Sequence, residues 1–337
     1  MEKKYRLITR NDFDGLACAI LLKKLDLIED ILFVHPRDMQ HGRVPVTMQD
    51  ISANLPYVTG IYMAFDHHES ETKRIGDTRK NFICNDKSPS AARVIYDYFH
   101  LDEKFPGEFD ELLAAVDKAD TASFTKEEIL SPTGWVLFNF IIDPKTGFYR
   151  FHDFKKTHNE LVSYLIDHWE DRSIEQILAL PDLQERIQFY ETYRQPFIDQ
   201  INRCASVCQD LVTVDLREEE ILYPGNRFMV YALYPHCDLS LFIQKDTQAN
   251  RITFSAGKSI LKTTCPLDVG ELMLKYHGGG HAGAGTCQSG HFDVEKIKTD
   301  LIADILLGYQ ESKNENTHGH SRISGQKNIS PCGDSHP

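Results

Sequence analysis

The sequence predicts an α/β protein of two domains. The N-terminal one is a mostly parallel sheet flanked by helices, joined by a helical connector to a smaller α/β C-terminal domain. Three observations carry this. Short apolar runs rich in branched and aromatic residues alternate with helix-period segments over residues 1–190, the texture of a parallel sheet with crossover helices. A helical stretch, Leu183–Cys208, interrupted by Pro196, follows them and supplies a connector over 191–210. Beyond it, over 211–310, the pattern changes to short strands and a glycine-rich run, and residues 311–337, rich in Ser, Asn, Gly and His, read as a disordered tail.

The 337 residues suffice for two cores, and 41% hydrophobic with 26% charged residues is a globular balance. No apolar stretch reaches membrane-spanning length, and Met1-Glu2-Lys3-Lys4-Tyr5 runs into a strand without a secretory apolar segment, so the expectation is a cytoplasmic protein. A formal net charge of -13 disfavours long duplex nucleic acid as a partner, while leaving room for a small anionic substrate held by cations. Cys18, Cys84, Cys204, Cys208, Cys237, Cys265, Cys287 and Cys332 form no CxxC pair and read as reduced packing thiols.

In chain order, the first strand, Tyr5–Thr9, breaks at Arg10-Asn11-Asp12-Phe13-Asp14-Gly15, and a helix follows at once. An ordinary helix cap needs one Asp; the second carboxylate, two residues on, suggests metal ligation. A second strand, Ile31–His35, leads to Asp38, and a third near Val44–Met48 leads to Asp50. The apolar run Gly60–Phe65 reads as a buried strand ending at Asp66-His67-His68. A parallel strand's C-terminal end is where ligands bind in open α/β sheets, and carboxylate with imidazole is ligand chemistry for Mn²⁺, Mg²⁺ or Zn²⁺. The plainer alternative is a surface turn carrying two histidines.

Residues 91–99 have helical periodicity, and an apolar helix or strand over 112–121 contains Asp117 and Asp120, which compete for one role. In the C-terminal part, strands are expected at Leu211–Asp215, Phe228–Leu233, Leu239–Gln244 and Arg251–Ser255, with a helix over Val269–Tyr276. The run His277-Gly278-Gly279-Gly280-His281-Ala282-Gly283-Ala284-Gly285 is expected to be a loop whose backbone N–H groups approach a phosphate, with a flexible linker as the alternative.

Asp12-Phe13-Asp14-Gly15, Asp66-His67-His68, Asp120-Thr121 and Gly278-Gly279-Gly280-His281 occur in an order that resembles the DHH phosphoesterase family, over residues 5–308. That family includes RecJ-type exonucleases, oligoribonucleases, cyclic-dinucleotide phosphodiesterases and inorganic pyrophosphatases. The resemblance implies a two-ion site, usually Mn²⁺ with Mg²⁺ as the substitute, in a cleft between two domains. It implies Asp12, Asp14, Asp50, His67 and Asp120 as ligands, with Asp38 in reserve for Asp50 and Asp117 for Asp120. Asp66, His67 and His68 would form the catalytic group. Gly278, Gly279, Gly280, His281 and Lys258 would bind substrate, Lys258 standing where relatives often carry Arg. Relatives also carry a His or extra Asp just before the first motif Asp, whereas this chain has Ile8-Thr9-Arg10-Asn11.

The expected activity is hydrolysis of phosphodiester bonds in short nucleotides (oligoribonucleotides, linear or cyclic dinucleotides, or 3′-phosphonucleotides) by a two-metal-activated water. A polyphosphatase- or pyrophosphatase-like hydrolase and a non-catalytic nucleotide sensor are the alternatives. The partner is then a small phosphorylated substrate, with no membrane, and a homodimer is left open.

Overall fold

In the computed structural model, the described residues are 3–76, 79–151, 153–169, 172–246, 251–290 and 293–323. The chain divides into two compact units, Met1–Arg203 with Ile221–Leu233, and Cys204–Glu220 with Tyr234–Pro337.

The first unit is built on five strands: β1 (Tyr5–Thr9), β2 (Ile28–Phe33), β3 (Asp50–Ala53), β4 (Met63–Asp66) and β5 (Phe82–Cys84). All pairings are parallel and the order is β2-β1-β3-β4-β5. The chain leaves β1 toward one edge and returns on its other side, so a topological switch point lies between β1 and β3. In such sheets the crevice for ligands opens at the carboxyl ends of those two strands. The helix Phe13–Lys24 is buried along its whole first three turns, from Phe13 to Leu22. Such all-round apolarity suits a helix covered by others. The helices Ala91–Tyr98, Asp110–Asp120 and His158–Asp167 pack against it and share its core, which includes Leu16, Leu21, Ile95, Val116 and Leu165.

The second unit holds β6 (Ala205–Cys208), β7 (Leu211–Asp215), β8 (Leu239–Asp246), β9 (Arg251–Lys258), β10 (Gly279–His281) and β11 (Ala284–Ser289), in the order β10-β11-β9-β8-β7-β6. Only β7 and β8 run parallel. The helices Val269–Leu274 and Val294–Ile323 supply Leu272, Leu301, Ile305 and Tyr309 to its core.

Four expectations change. The third strand is Asp50–Ala53, not Val44–Met48; Pro45 cannot donate to a sheet ladder, which disfavours the earlier run as an inner strand. Residues 229–233, expected as a strand of the second domain, form the helix Met229–Leu233 and return to the first unit. The glycine-rich run is an antiparallel hairpin, β10 with β11, rather than an open loop. A Cβ on Gly280 would lie 2.2 Å from the Ala284 carbonyl oxygen, so close backbone approach accounts for glycine there. Residues 311–323 of the expected tail continue the last helix, and 324–337, with Cys332, lie outside the described residues. The helix Pro181–Cys204 spans most of the expected connector and includes Pro196.

Candidate metal centre

Three segments converge at the carboxyl end of the first sheet. After β1, Asp12 caps the helix Phe13–Lys24, its Oδ1 accepting from Gly15 N at 3.1 Å. Asp14, in the first turn, is 2% exposed and reaches across to the N-terminus of the helix Ala91–Tyr98. There its two oxygens accept the N–H groups of Ala91 at 3.0 Å and Ala92 at 2.8 Å. Those donors and the helix dipole favour the carboxylate. Burial, reinforced by the nearby Asp120 charge, outweighs them and pushes the Asp14 carboxyl up to about 7.

At the end of β4, Asp66 is buried, and its Oδ1 accepts from His67 N at 2.8 Å and from His68 Nδ1–H at 2.7 Å. Its Oδ2 is buried with no hydrogen-bond partner among the described residues. The His67 Nδ1–H can donate to the Ser88 carbonyl, 3.3 Å away, which turns Nε2 toward Asp14 and Asp120. Asp120 ends the helix Asp110–Asp120, and its Oδ2 lies 3.0 Å from His67 Nε2. Beyond that ion-pair contact, Nε2 is buried with no hydrogen bond among the described residues. Burial disfavours the imidazolium, but Asp120 and Asp14 prevail and raise His67 to about 9, while His67 in turn pulls the Asp120 carboxyl down against its own desolvation.

The ligand atoms of Asp14, His67 and Asp120 all lie within 4.8 Å of one another, as do those of Asp66, His67 and His68. A buried, poorly bonded Nε2 facing two carboxylates, and an unpartnered carboxylate oxygen behind it, fit a divalent cation. Oxygen and imidazole donors suit Mn²⁺ or Mg²⁺. The backbone carbonyl on Nδ1 is the usual second contact of a ligating histidine.

The remaining expected residues fall elsewhere. Asp50, expected to bridge two ions, opens β3 rather than following it. It pairs in register with Arg6, three residues and about 10 Å before the strand's carboxyl end. Its carboxylate is held by Arg6 Nε at 2.7 Å and Thr47 N at 2.6 Å, which depresses it. Asp38 pairs with Arg43 at an exposed helix. Asp117 is taken by Ser90 Oγ at 2.7 Å and Arg93 Nε at 2.9 Å, so Asp120 is the acid left facing His67. Lys258 and Gly278–His281 lie in the second unit, where His281 Nδ1 accepts from Ala284 N at 3.0 Å and closes the hairpin turn.

Sequence reading missed three groups. Asn54, not Asp50, is the first residue past β3; it is buried at a positive φ of 56° and donates from Nδ2 to Asp12 Oδ1 at 3.3 Å. Asn tolerates that backbone region, a signal that the misplaced strand concealed. Arg10 pairs through a guanidinium nitrogen with Asp12 Oδ2 at 2.7 Å. Lys145 and Arg227 meet at Asp143, which accepts from Lys145 N at 2.8 Å and lies 3.1 Å from Arg227. The Arg227 charge, with desolvation, lowers the Lys145 amine to about 8. No sequence pattern links 145 to 227; the return of 221–233 to the first unit brings them together.

A carboxylate–histidine cluster at the carboxyl end of a parallel sheet fits a class, the divalent-metal hydrolases of phosphate esters. No family profile and no curated protein matches the chain. Among solved structures, the pGpG-specific phosphodiesterase PggH from Vibrio cholerae is 48% identical, with 90% of this chain and 100% of that one covered at a TM-score of 0.77. An exopolyphosphatase-related protein from Bacteroides fragilis is 14% identical over 92% and 93% of the two chains, TM-score 0.53. RecJ from Thermus thermophilus in complex with Mn²⁺ is 14% identical over 90% of this chain and 51% of that one, TM-score 0.52. These last two share the fold. The chain belongs to the DHH family of phosphoesterases, and it is a hydrolase acting on phosphate esters. Among the described residues, no helix is long and apolar enough to cross a membrane.

Proposed function

We propose that the protein is a divalent-metal phosphodiesterase that cleaves the linear dinucleotide pGpG into mononucleotides. The meeting of Asp14, His67 and Asp120 within 4.8 Å carries the reading of the site, and the 48% identity to a pGpG-specific phosphodiesterase supports the substrate. Asp14, His67 and Asp120 would hold the ion, with Asp66 and His68 grouped around the same His67. A bound divalent ion supplies charge neutralisation at the phosphoryl oxygens and a more acidic water at neutral pH.

The chain's own groups do the rest. Asp66 fixes the His68 imidazole and the His67 backbone, receiving the His68 Nδ1–H so that His68 Nε2 is left free to hand a proton to the leaving ribose oxygen. His68 is 38% exposed at its side chain, open enough to meet a substrate. Arg10, Lys145 and Arg227 offer positive charge beside the acids, suited to the bridging and terminal phosphates of a 5′-phosphorylated dinucleotide. From the second unit, Lys258, Gly278, Gly279, Gly280 and His281 are assigned to substrate binding.

The experiment is hydrolysis by purified protein with Mn²⁺ of pGpG, cyclic di-GMP, a 3′-phosphonucleotide and polyphosphate. Preferred release of GMP from pGpG is expected. Turnover of polyphosphate alone would make it a phosphoanhydride hydrolase, and binding of pGpG without turnover of any substrate would make it a sensor.

A further inference from the structure

The resemblance leads one to expect two ions, and the residues present fit only one. On the β1–β3 flank of the site, the groups in hydrogen-bond contact with the Asp12 carboxylate are N–H donors, one of them a cation. Oδ2 meets the Arg10 guanidinium at 2.7 Å, and Oδ1 accepts from Gly15 N at 3.1 Å and from the Asn54 amide at 3.3 Å. The side chain at the carboxyl end of β3 is thus a neutral amide that points N–H, not oxygen, at Asp12. A second divalent ion there would face a fixed guanidinium and an amide NH₂, and Asp12, the carboxylate between them, is already engaged by three donors. The Asp14, His67 and Asp120 group, by contrast, has no Lys or Arg in ion-pair contact among the described residues.

Arg10 is also built into place. A Cβ on Gly15 would lie 2.0 Å from the Arg10 carbonyl oxygen, so the helix start is packed directly on the Arg10 backbone. Three-quarters of its side chain is covered, and Asp12 is its one ion-pair partner among the described residues. A guanidinium carries five N–H donors in a planar fork, and Asp12 engages one nitrogen at the end of that fork.

We propose that the site works with a single divalent ion and that the Arg10 guanidinium, seated by Asp12, which Asn54 holds in turn, stands in place of the second as a permanent cation on the scissile phosphate. This rests on the phosphodiesterase reading above. A fixed guanidinium stabilises charge developing on phosphoryl oxygens without itself needing to be recruited from solution. Because it binds in a bidentate fork, it also selects a phosphate with two free oxygens, which a phosphodiester provides.

The test is the Mn²⁺ content of the full chain after equilibration with saturating Mn²⁺ and removal of free ion, read by elemental analysis and by electron paramagnetic resonance. One ion per chain with a mononuclear Mn²⁺ spectrum is expected. The Arg10→His/Asn54→Asp double variant is expected to take up two ions and to show an exchange-coupled spectrum. Arg10→Gln is expected to keep one ion while kcat on pGpG falls about a hundredfold, the usual effect of losing one such donor. Two coupled ions in the wild-type protein, or wild-type kcat in Arg10→Gln, would overturn this inference and leave the phosphodiesterase reading standing. Failure to bind any ion would overturn both.

Discussion

Metal binding must displace protons, and their number can be worked from the site. Without an ion, His67 titrates at about 9 because its imidazolium sits between Asp120 and Asp14, and Asp14 titrates at about 7 because it is buried beside Asp120. Both groups must be deprotonated to act as ligands. At pH 7 the pair carries about 1.5 protons, at pH 8 about 1.0, and these are released on binding. Since the logarithm of the affinity rises with pH by the number of protons released, Mn²⁺ affinity should increase by about tenfold or more per pH unit between pH 7 and 8. Titration calorimetry of the metal-free protein in buffers of different ionisation enthalpy gives both quantities. His67→Gln should lower the proton count at pH 7 by less than one, because losing the imidazolium also raises Asp14. A pH-independent affinity with no proton release would show that Asp14 and His67 are not the ligands.

Both folded-state values lie above the unfolded ones, so their stabilising protonation is present at low pH and lost as pH rises through about 7 for Asp14 and about 9 for His67. The gain in Tm on adding Mn²⁺ should therefore be larger at pH 8.5 than at pH 6.5, as scanning calorimetry can check. Gly15→Ala places a methyl group against the Arg10 carbonyl and should cost about 1–3 kcal/mol in urea unfolding. It should also reduce hydrolysis beyond that loss, because the Arg10 and Asp12 backbone must shift. Asp50→Asn should leave Mn²⁺ binding and turnover intact while lowering stability by about 1–2 kcal/mol at neutral pH, since its Arg6 partner is partly exposed. The depressed Asp50 contributes stability above the ordinary carboxylate range and loses it as pH falls below about 4, so wild type and variant should converge in acid. Asp120→Asn should abolish metal binding, whereas Asp117→Asn should retain it and loosen the helix contact through Arg93, which Mn²⁺ titration of the two variants compares directly.

What could be read from the sequence was local. β1 and β7 fall at Tyr5–Thr9 and Leu211–Asp215 as expected, because each is a compact apolar run with a sharp polar end. Asp66-His67-His68 at the end of β4 follows from the same logic. What could not be read depends on partners distant in sequence. β3 is only four residues long, with Asp50 and Ser52 alternating with Ile51 and Ala53, and its apolar signal is weaker than that of Val44, Val46 and Met48 nearby. That shift exchanged Asn54 for Asp50 at the crevice. Asp117 and Asp120 sit three apart near one helix end and differ only in which neighbour, Arg93 or His67, packing brings to them. Glycines at 278–285 were legible as close backbone approach, but not whether strand, helix or phosphate makes it; Gly270 meets Gly280, and Gly278 meets Thr286.

The most direct test is a crystal grown with Mn²⁺ and measured at the manganese absorption edge. An anomalous peak is expected between Asp14, His67 Nε2 and Asp120, at the carboxyl end of the parallel sheet. A protein crystal that hydrolyses pGpG when dissolved, yet shows no peak there or shows its ion on Asp50, would contradict that placement.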